Sequence, residues 1–175
     1  MPSVEHGCLA ISAMSRFTQV LLVSPMDDGD TWVVMRDFGY EVGAEDSVDV
    51  VDVAVGFMTD FASIPPFMQW WLPKWGKYGN AAVIHDYLYW DQMRPRRACD
   101  LVFLEAMGVM KVGAIRKRAI FWGVRTFGWW AWWRNQEDKA CGFDRVLRQL
   151  TPKAGAESER PKALRQIARA VKRRM

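Results

Sequence analysis

A chain of 175 residues, half of them apolar, is long enough for one hydrophobic core and too short for two independent catalytic domains. Its three cysteines, Cys8, Cys99 and Cys141, lie far apart without a C-x-x-C pair, which argues against a disulfide framework and a cysteine-built zinc site. The net charge of +4 hides an asymmetry, with acids crowded between Asp27 and Asp60 and bases between Arg160 and Arg174, so the two ends suit different partners.

Residues 1–13 show no clear period and read as an extension ahead of Met14-Ser-Arg-Phe17. No basic segment followed by a long apolar run marks a secretory signal, so the protein is expected to stay where it is made or to be carried by an assembly. Val20-Leu-Leu-Val23 and Thr31-Trp-Val-Val-Met35 flank the turn-forming Asp27-Asp-Gly-Asp30 and predict a β-hairpin. Between Ser47 and Val55, valines alternate with Asp49, Asp52 and Ala54 at a period of two, with one slip between Val50 and Val51; this predicts a strand with a bulge. The prolines of Ser63-Ile-Pro-Pro66 then force a turn.

Asn80 is placed to cap a helix whose Ala81, Ile84, His85 and Leu88 share a face. Arg94-Pro95 separates it from a second helix over about residues 97–110, and so short a link predicts antiparallel neighbours. A third helix is expected over 114–134, with Ile115, Ala119, Trp122 and Phe127 inward and Arg116, Arg118 and Arg125 more nearly outward. Its apolar run Ala119 to Trp133 is broken by Arg125 and has about 15 residues where a spanning helix needs roughly 20, so no transmembrane segment is expected. After Thr151-Pro152 the composition turns basic, and residues 151–175 read as a tail or docking helix behind a single domain over 14–150. The expected fold is α+β, an N-terminal antiparallel sheet packed against two or three helices with a basic helical C-terminal tail.

With only His6 and His85, the chain lacks the ligands of a histidine-rich zinc centre, and it contains no phosphate loop, G-x-S-x-G or H-E-x-x-H. His85 and Tyr89 share a helix face, Asp86 points about 100° away, and antiparallel packing predicts the Asp100 carboxylate at the His85 imidazole. In a catalytic reading Asp100 fixes the tautomer, the free ring nitrogen accepts a proton from water, and Asp60 with Asp86 holds a divalent cation, calcium or magnesium. In a structural reading the dyad is a polar staple between helices, and Asp60 caps the following turn. Ser63 has no motif placing a base beside it and is not favoured as a nucleophile.

Thr59-Asp-Phe-Ala-Ser-Ile-Pro65, Ala81-Ala-Val-Ile-His-Asp-Tyr-Leu-Tyr89 and Asp100-Leu-Val-Phe-Leu-Glu-Ala-Met107 resemble a phage and prophage family, domain of unknown function 1353, over about residues 14–134. The resemblance implies phage origin, hence a virion or the host cytoplasm as the expected location, and no particular reaction. At motif level alone, His85-Asp86-x-x-Tyr89 with Asp100 is also similar to the secreted and parvoviral phospholipases A2. That similarity implies His85 as water activator, Asp86 as calcium ligand and Asp100 as the orienting carboxylate; the disulfides are missing, and Gly76 with Gly79 is a fragment of the calcium loop.

Two functions follow as expectations. One is a phage late-gene or virion-associated protein with a single-histidine, carboxylate-assisted hydrolytic site acting on an envelope ester or cell-wall bond. The other is a non-enzymatic virion component, a tail, baseplate or connector accessory, docking onto neighbouring phage proteins. The tryptophans at 70, 71, 75, 129, 130, 132 and 133 read chiefly as core and protein interface, with a membrane-interface belt or a sugar platform as alternatives. Nucleic acid is a partner for the basic tail that is not favoured over protein docking. A pocket opening onto His85 favours the enzyme, and a buried His85 the structural role.

Overall fold

The computed structural model describes residues 16–61 and 78–148. The extension 1–13, the Ser63-Ile-Pro-Pro66 turn, Trp70, Trp71, Trp75 and the tail 151–175 lie outside them. Within them the fold is α+β, with antiparallel strands in the N-terminal half followed by three helices.

The strands form two three-stranded sheets where one was expected. In the first, β4 (Phe38–Glu41) lies between β1 (Arg16–Phe17) and β5 (Val50–Val53), with Tyr40 opposite both Phe17 and Val51. In the second, β3 (Trp32–Val34) lies between β2 (Val23–Pro25) and β6 (Met58–Thr59). The predicted hairpin is β2–β3, with Val23 opposite Val34. Its loop closes on the Asp28 carboxylate, which accepts the Thr31 backbone N–H at 2.9 Å and the Thr31 hydroxyl at 2.7 Å. The first strand is shorter than its apolar run, since Val20 and Leu22 are exposed. In β5, Val51 and Val53 are buried and Asp52 exposed, as period two requires, but pairing runs evenly from Val50 to Val53 and the expected bulge is not there. Strand β4 escapes the alternation rule because all four of its residues, Gly39 and Glu41 included, are buried.

Helix α1 (Gly79–Asp91) is the centre of the molecule, packed against both later helices and against β5 and β6. It is buried almost all round, with Val83, Ile84 and His85 fully enclosed. Asn80 is not its cap: Tyr78 holds that position without a side-chain bond, and Asn80 falls inside the first turn. The helix stops at Gln92, whose left-handed backbone (φ 60°) turns the chain through Pro95 into α2 (Arg96–Val109). Tyr89 pairs with Asp100 and His85 stacks on Phe103, so earlier residues of α1 meet later residues of α2, as antiparallel neighbours do. Tyr40 donates to the Glu105 carboxylate at 2.9 Å and fastens β4 to α2.

Helix α3 (Ala114–Ala140) runs past the predicted end and turns a different face inward. Its buried stripe is Ile120, Val124, Gly128, Asn135 and Asp138, while Ile115, Trp122 and Phe127, expected inside, are exposed. Hydrophobicity picked the bulky side chains; packing against α1 and α2 selected the small and polar ones, because they let the backbones approach. Beyond α3 the chain returns to the second sheet, where Arg145 accepts the Met58 N–H at 2.8 Å and Leu147 donates its N–H to Gly56 at 2.9 Å. Gly56 has φ +90°, and a Cβ there would lie 2.2 Å from the Leu147 carbonyl oxygen, so this return requires glycine.

Candidate functional site

The four predicted site residues fall into two adjacent pairs around α1. His85 Nε2 lies 3.0 Å from Asp100 Oδ1, and both side chains have no solvent exposure. The Tyr89 hydroxyl donates to the same oxygen at 2.6 Å. Arg125 donates to Asp100 Oδ2 at 2.6 Å, and Arg96, one turn before Asp100 on α2, lies 3.7 Å from that oxygen. Arg125, expected to face outward, instead reaches inward from α3 and ties all three helices to one carboxylate.

The chemistry of Asp100 assigns the proton on His85. Burial pushes the Asp100 carboxyl up, but hydrogen bonds from His85, Arg125 and Tyr89 together outweigh it and hold the group below its ordinary value. An ionised carboxylate only accepts, so Nε2 carries the hydrogen and Nδ1 carries the lone pair. Burial lowers the His85 pKa, against the opposing pull of Asp100, so the ring is neutral at pH 7. Nδ1 is the buried side-chain nitrogen or oxygen that has no hydrogen-bond partner among the described residues. Tyr89 is raised above its ordinary range chiefly by burial and then by Asp100, against the opposing pull of Arg96, so it keeps its proton and donates a hydrogen bond to Asp100.

Gly128 on α3 makes this arrangement possible, because a Cβ there would lie 2.6 Å from the Tyr89 hydroxyl oxygen. Asn135, two turns on, donates to the Tyr89 carbonyl at 2.9 Å, and the Trp132 and Tyr89 rings meet in a T-shaped contact. Phe103 stacks on His85 with centroids 4.6 Å apart.

Asp86 faces the second sheet, where it accepts the Thr59 hydroxyl at 2.6 Å. Its pKa is raised to about 7, first by burial and next by the charge of Asp60, while Thr59 and Arg145 pull it down. Asp60, directly after β6, thus reaches the neighbourhood of Asp86 from the sheet side. Arg134 senses Asp60 and Arg145 as well, so the carboxylate pair already has cations around it. No group of three or more His, Cys, Asp or Glu side chains gathers as a metal centre among the described residues, and Asp60 with Asp86 offers two carboxylates.

Sequence reasoning found His85, Tyr89 and Asp100 because helical phase places them. It missed Thr59, Arg96 and Arg125; Arg96 alone left a readable signal, the i,i+4 spacing to Asp100. No helix among the described residues is long and apolar enough to cross a membrane.

No curated protein matches this chain, and no solved structure does. A family model described as protein of unknown function, DUF1353, matches residues 32–124, which includes all three resembling motifs and is somewhat less than the expected span of 14–134. The match takes in β3 through α2 and the first part of α3, with Asp60, His85, Asp86 and Asp100, and stops one residue before Arg125. As it covers more than half of the sequence, the chain belongs to the DUF1353 family of proteins of unknown function.

Proposed function

We propose that the chain is a phage-encoded late-gene or virion-associated protein with a single-histidine hydrolytic centre directed at an envelope ester or a cell-wall bond. The observation that supports this reading is His85 Nδ1, a buried acceptor with no hydrogen-bond partner among the described residues, on a ring whose other nitrogen is anchored by Asp100. A staple alone needs no such atom, and leaving a buried polar group unmade costs about 1–3 kcal/mol. The proposed reaction requires an opening that admits water and substrate to the enclosed ring; Nδ1 then takes a proton from water as the water oxygen attacks the electrophilic carbon. Asp100 stabilises the imidazolium, which then returns the proton to the leaving oxygen. A calcium or magnesium ion at Asp60 and Asp86 would supply charge stabilisation for the developing oxyanion. The similarity to the phospholipase A2 motif agrees with these roles.

The test is product release from phospholipid vesicles and from peptidoglycan, with and without calcium or magnesium. We expect release by the wild type and a fall of about 100-fold or more in His85→Gln and Asp100→Asn. Equal release by His85→Gln, or none from either substrate by the wild type, removes the hydrolytic reading.

A second reading rests on a different observation, the complete enclosure of His85 and Asp100, which is the outcome that favours a structural role over an open catalytic pocket. In it the dyad is a staple and the protein a non-enzymatic tail, baseplate or connector accessory bound to other virion proteins. Variants of His85 and Asp100 would then lower the melting temperature and change no rate.

A further inference from the structure

Helix α3 carries two apolar faces. At 100° per residue, Ile115, Trp122, Trp129 and Trp133 fall within about 40° of one another, on the side opposite the buried stripe through Ile120, Val124 and Asn135. They are 89%, 66%, 59% and 51% exposed. The stripe extends over about 27 Å at 1.5 Å per residue, with exposed Arg118 and Thr126 at its edges, and large apolar side chains repeated along one exposed face of a folded chain mark a contact site.

The chemistry around the stripe selects the partner. No Asp or Glu occurs from Ala114 to Gln136, where Arg116, Lys117, Arg118 and Arg134 stand besides the inward-turned Arg125; the first acid, exposed Glu137, comes one turn after Trp133. Arg116 and Arg118 are exposed; Arg118 borders the stripe on one side, and Arg116 lies about 100° round from Ile115 on the other. A seam between protein helices is built from Leu, Ile and Val with charges of both signs beside it. Tryptophan with bases on both flanks is the composition of a helix lying in the plane of an anionic bilayer, rings at the headgroup level and cations on the phosphates.

We propose that the outer face of α3 is a binding surface for an anionic phospholipid bilayer, entered in plane through Trp122, Trp129 and Trp133 and held electrostatically by Arg116 and Arg118. The helix lies on the membrane and does not span it, in keeping with its lack of a spanning apolar length. This inference is independent of whether His85 is catalytic, since it concerns binding and a different face of the molecule.

Co-sedimentation of the full chain with vesicles of phosphatidylcholine, with and without phosphatidylglycerol, tests it. We expect binding to the anionic vesicles, decreasing with salt, and an affinity lower by about tenfold or more in the double variant Trp129→Ser/Trp133→Ser. Arg116→Gln/Arg118→Gln should also weaken binding to the anionic vesicles. All four positions are exposed, so an unchanged melting temperature verifies that the variants are folded. Absence of binding overturns the proposal. So does binding undiminished in the tryptophan variant, which places the contact elsewhere in the chain. A dimer in sedimentation velocity that the tryptophan variant abolishes, without vesicle binding, assigns the stripe to a second copy and equally overturns it.

Discussion

At the scale of single residues, two buried titrating groups on consecutive positions of α1 act in opposite directions on stability. His85 has its pKa lowered in the fold from an unfolded value of about 6.5, so its contribution is fully present above that pH and is lost as the pH falls below it. Asp86 has its pKa raised to about 7 from 3.8, so the fold binds its proton more tightly and gains stability as the pH falls from 7 towards 4. The expected outcome is partial cancellation in the wild type between pH 6.5 and 4. Asp86→Asn, with metal chelated, should be more stable than the wild type at pH 8 and should lose stability more steeply on acidification, because Asn still accepts the Thr59 hydroxyl without a buried charge. Urea midpoints across pH check this, and a variant less stable than the wild type at pH 8 would contradict it. For His85, nitrogen NMR should find the Nε2–H tautomer at pH 7 and titration below pH 6.5; a protonated Nδ1 at pH 7 would remove the proposed acceptor.

Among the elements, α3 decides how tightly the dyad is held. Replacing Gly128 by Ala should raise helix propensity by about 1 kcal/mol, yet the added Cβ would sit 2.6 Å from the Tyr89 hydroxyl oxygen. Overpacking costs about 1–3 kcal/mol and should win, because Tyr89 is fixed from both sides by Asp100 and by Asn135. Chemical unfolding of Gly128→Ala should therefore show net destabilisation, and a gain would mean that Tyr89 moves freely. Arg125→Ala takes one donor from the enclosed Asp100 and leaves Arg96 as the nearest cation. We expect a loss of about 1–3 kcal/mol at pH 7, with acid unfolding displaced to higher pH because one of the three hydrogen bonds that hold the Asp100 pKa down is gone.

At the scale of the whole molecule, residues 141–148 close the structure by returning from α3 to the second sheet, through backbone bonds at Met58 and Gly56 and a Phe143 edge on Trp90. A chain ending at residue 148 should keep the melting behaviour of this core, whereas one ending at 140 should melt lower; equal midpoints would show that the return is dispensable. The sequence by itself determined the α+β class, the β2–β3 hairpin, the short link that sets α1 beside α2, and the His85–Asp100 contact. These rest on local turn chemistry, period and helical phase, which act within one element or between two that adjoin. Tertiary structure alone decided the split into two sheets, the burial of β4, the inward face of α3 and the recruitment of Arg125. Strands as short as Arg16–Phe17 and Met58–Thr59 hold too few residues to show a period, and they exist because partners distant in sequence pair with them. Helix α3 has apolar residues on opposite sides, so its sequence does not say which side a core will cover. The small residues Gly123 and Gly128 answer that question only when a second helix must approach them, and the wider side chains of Trp122 and Trp129 are then left facing out.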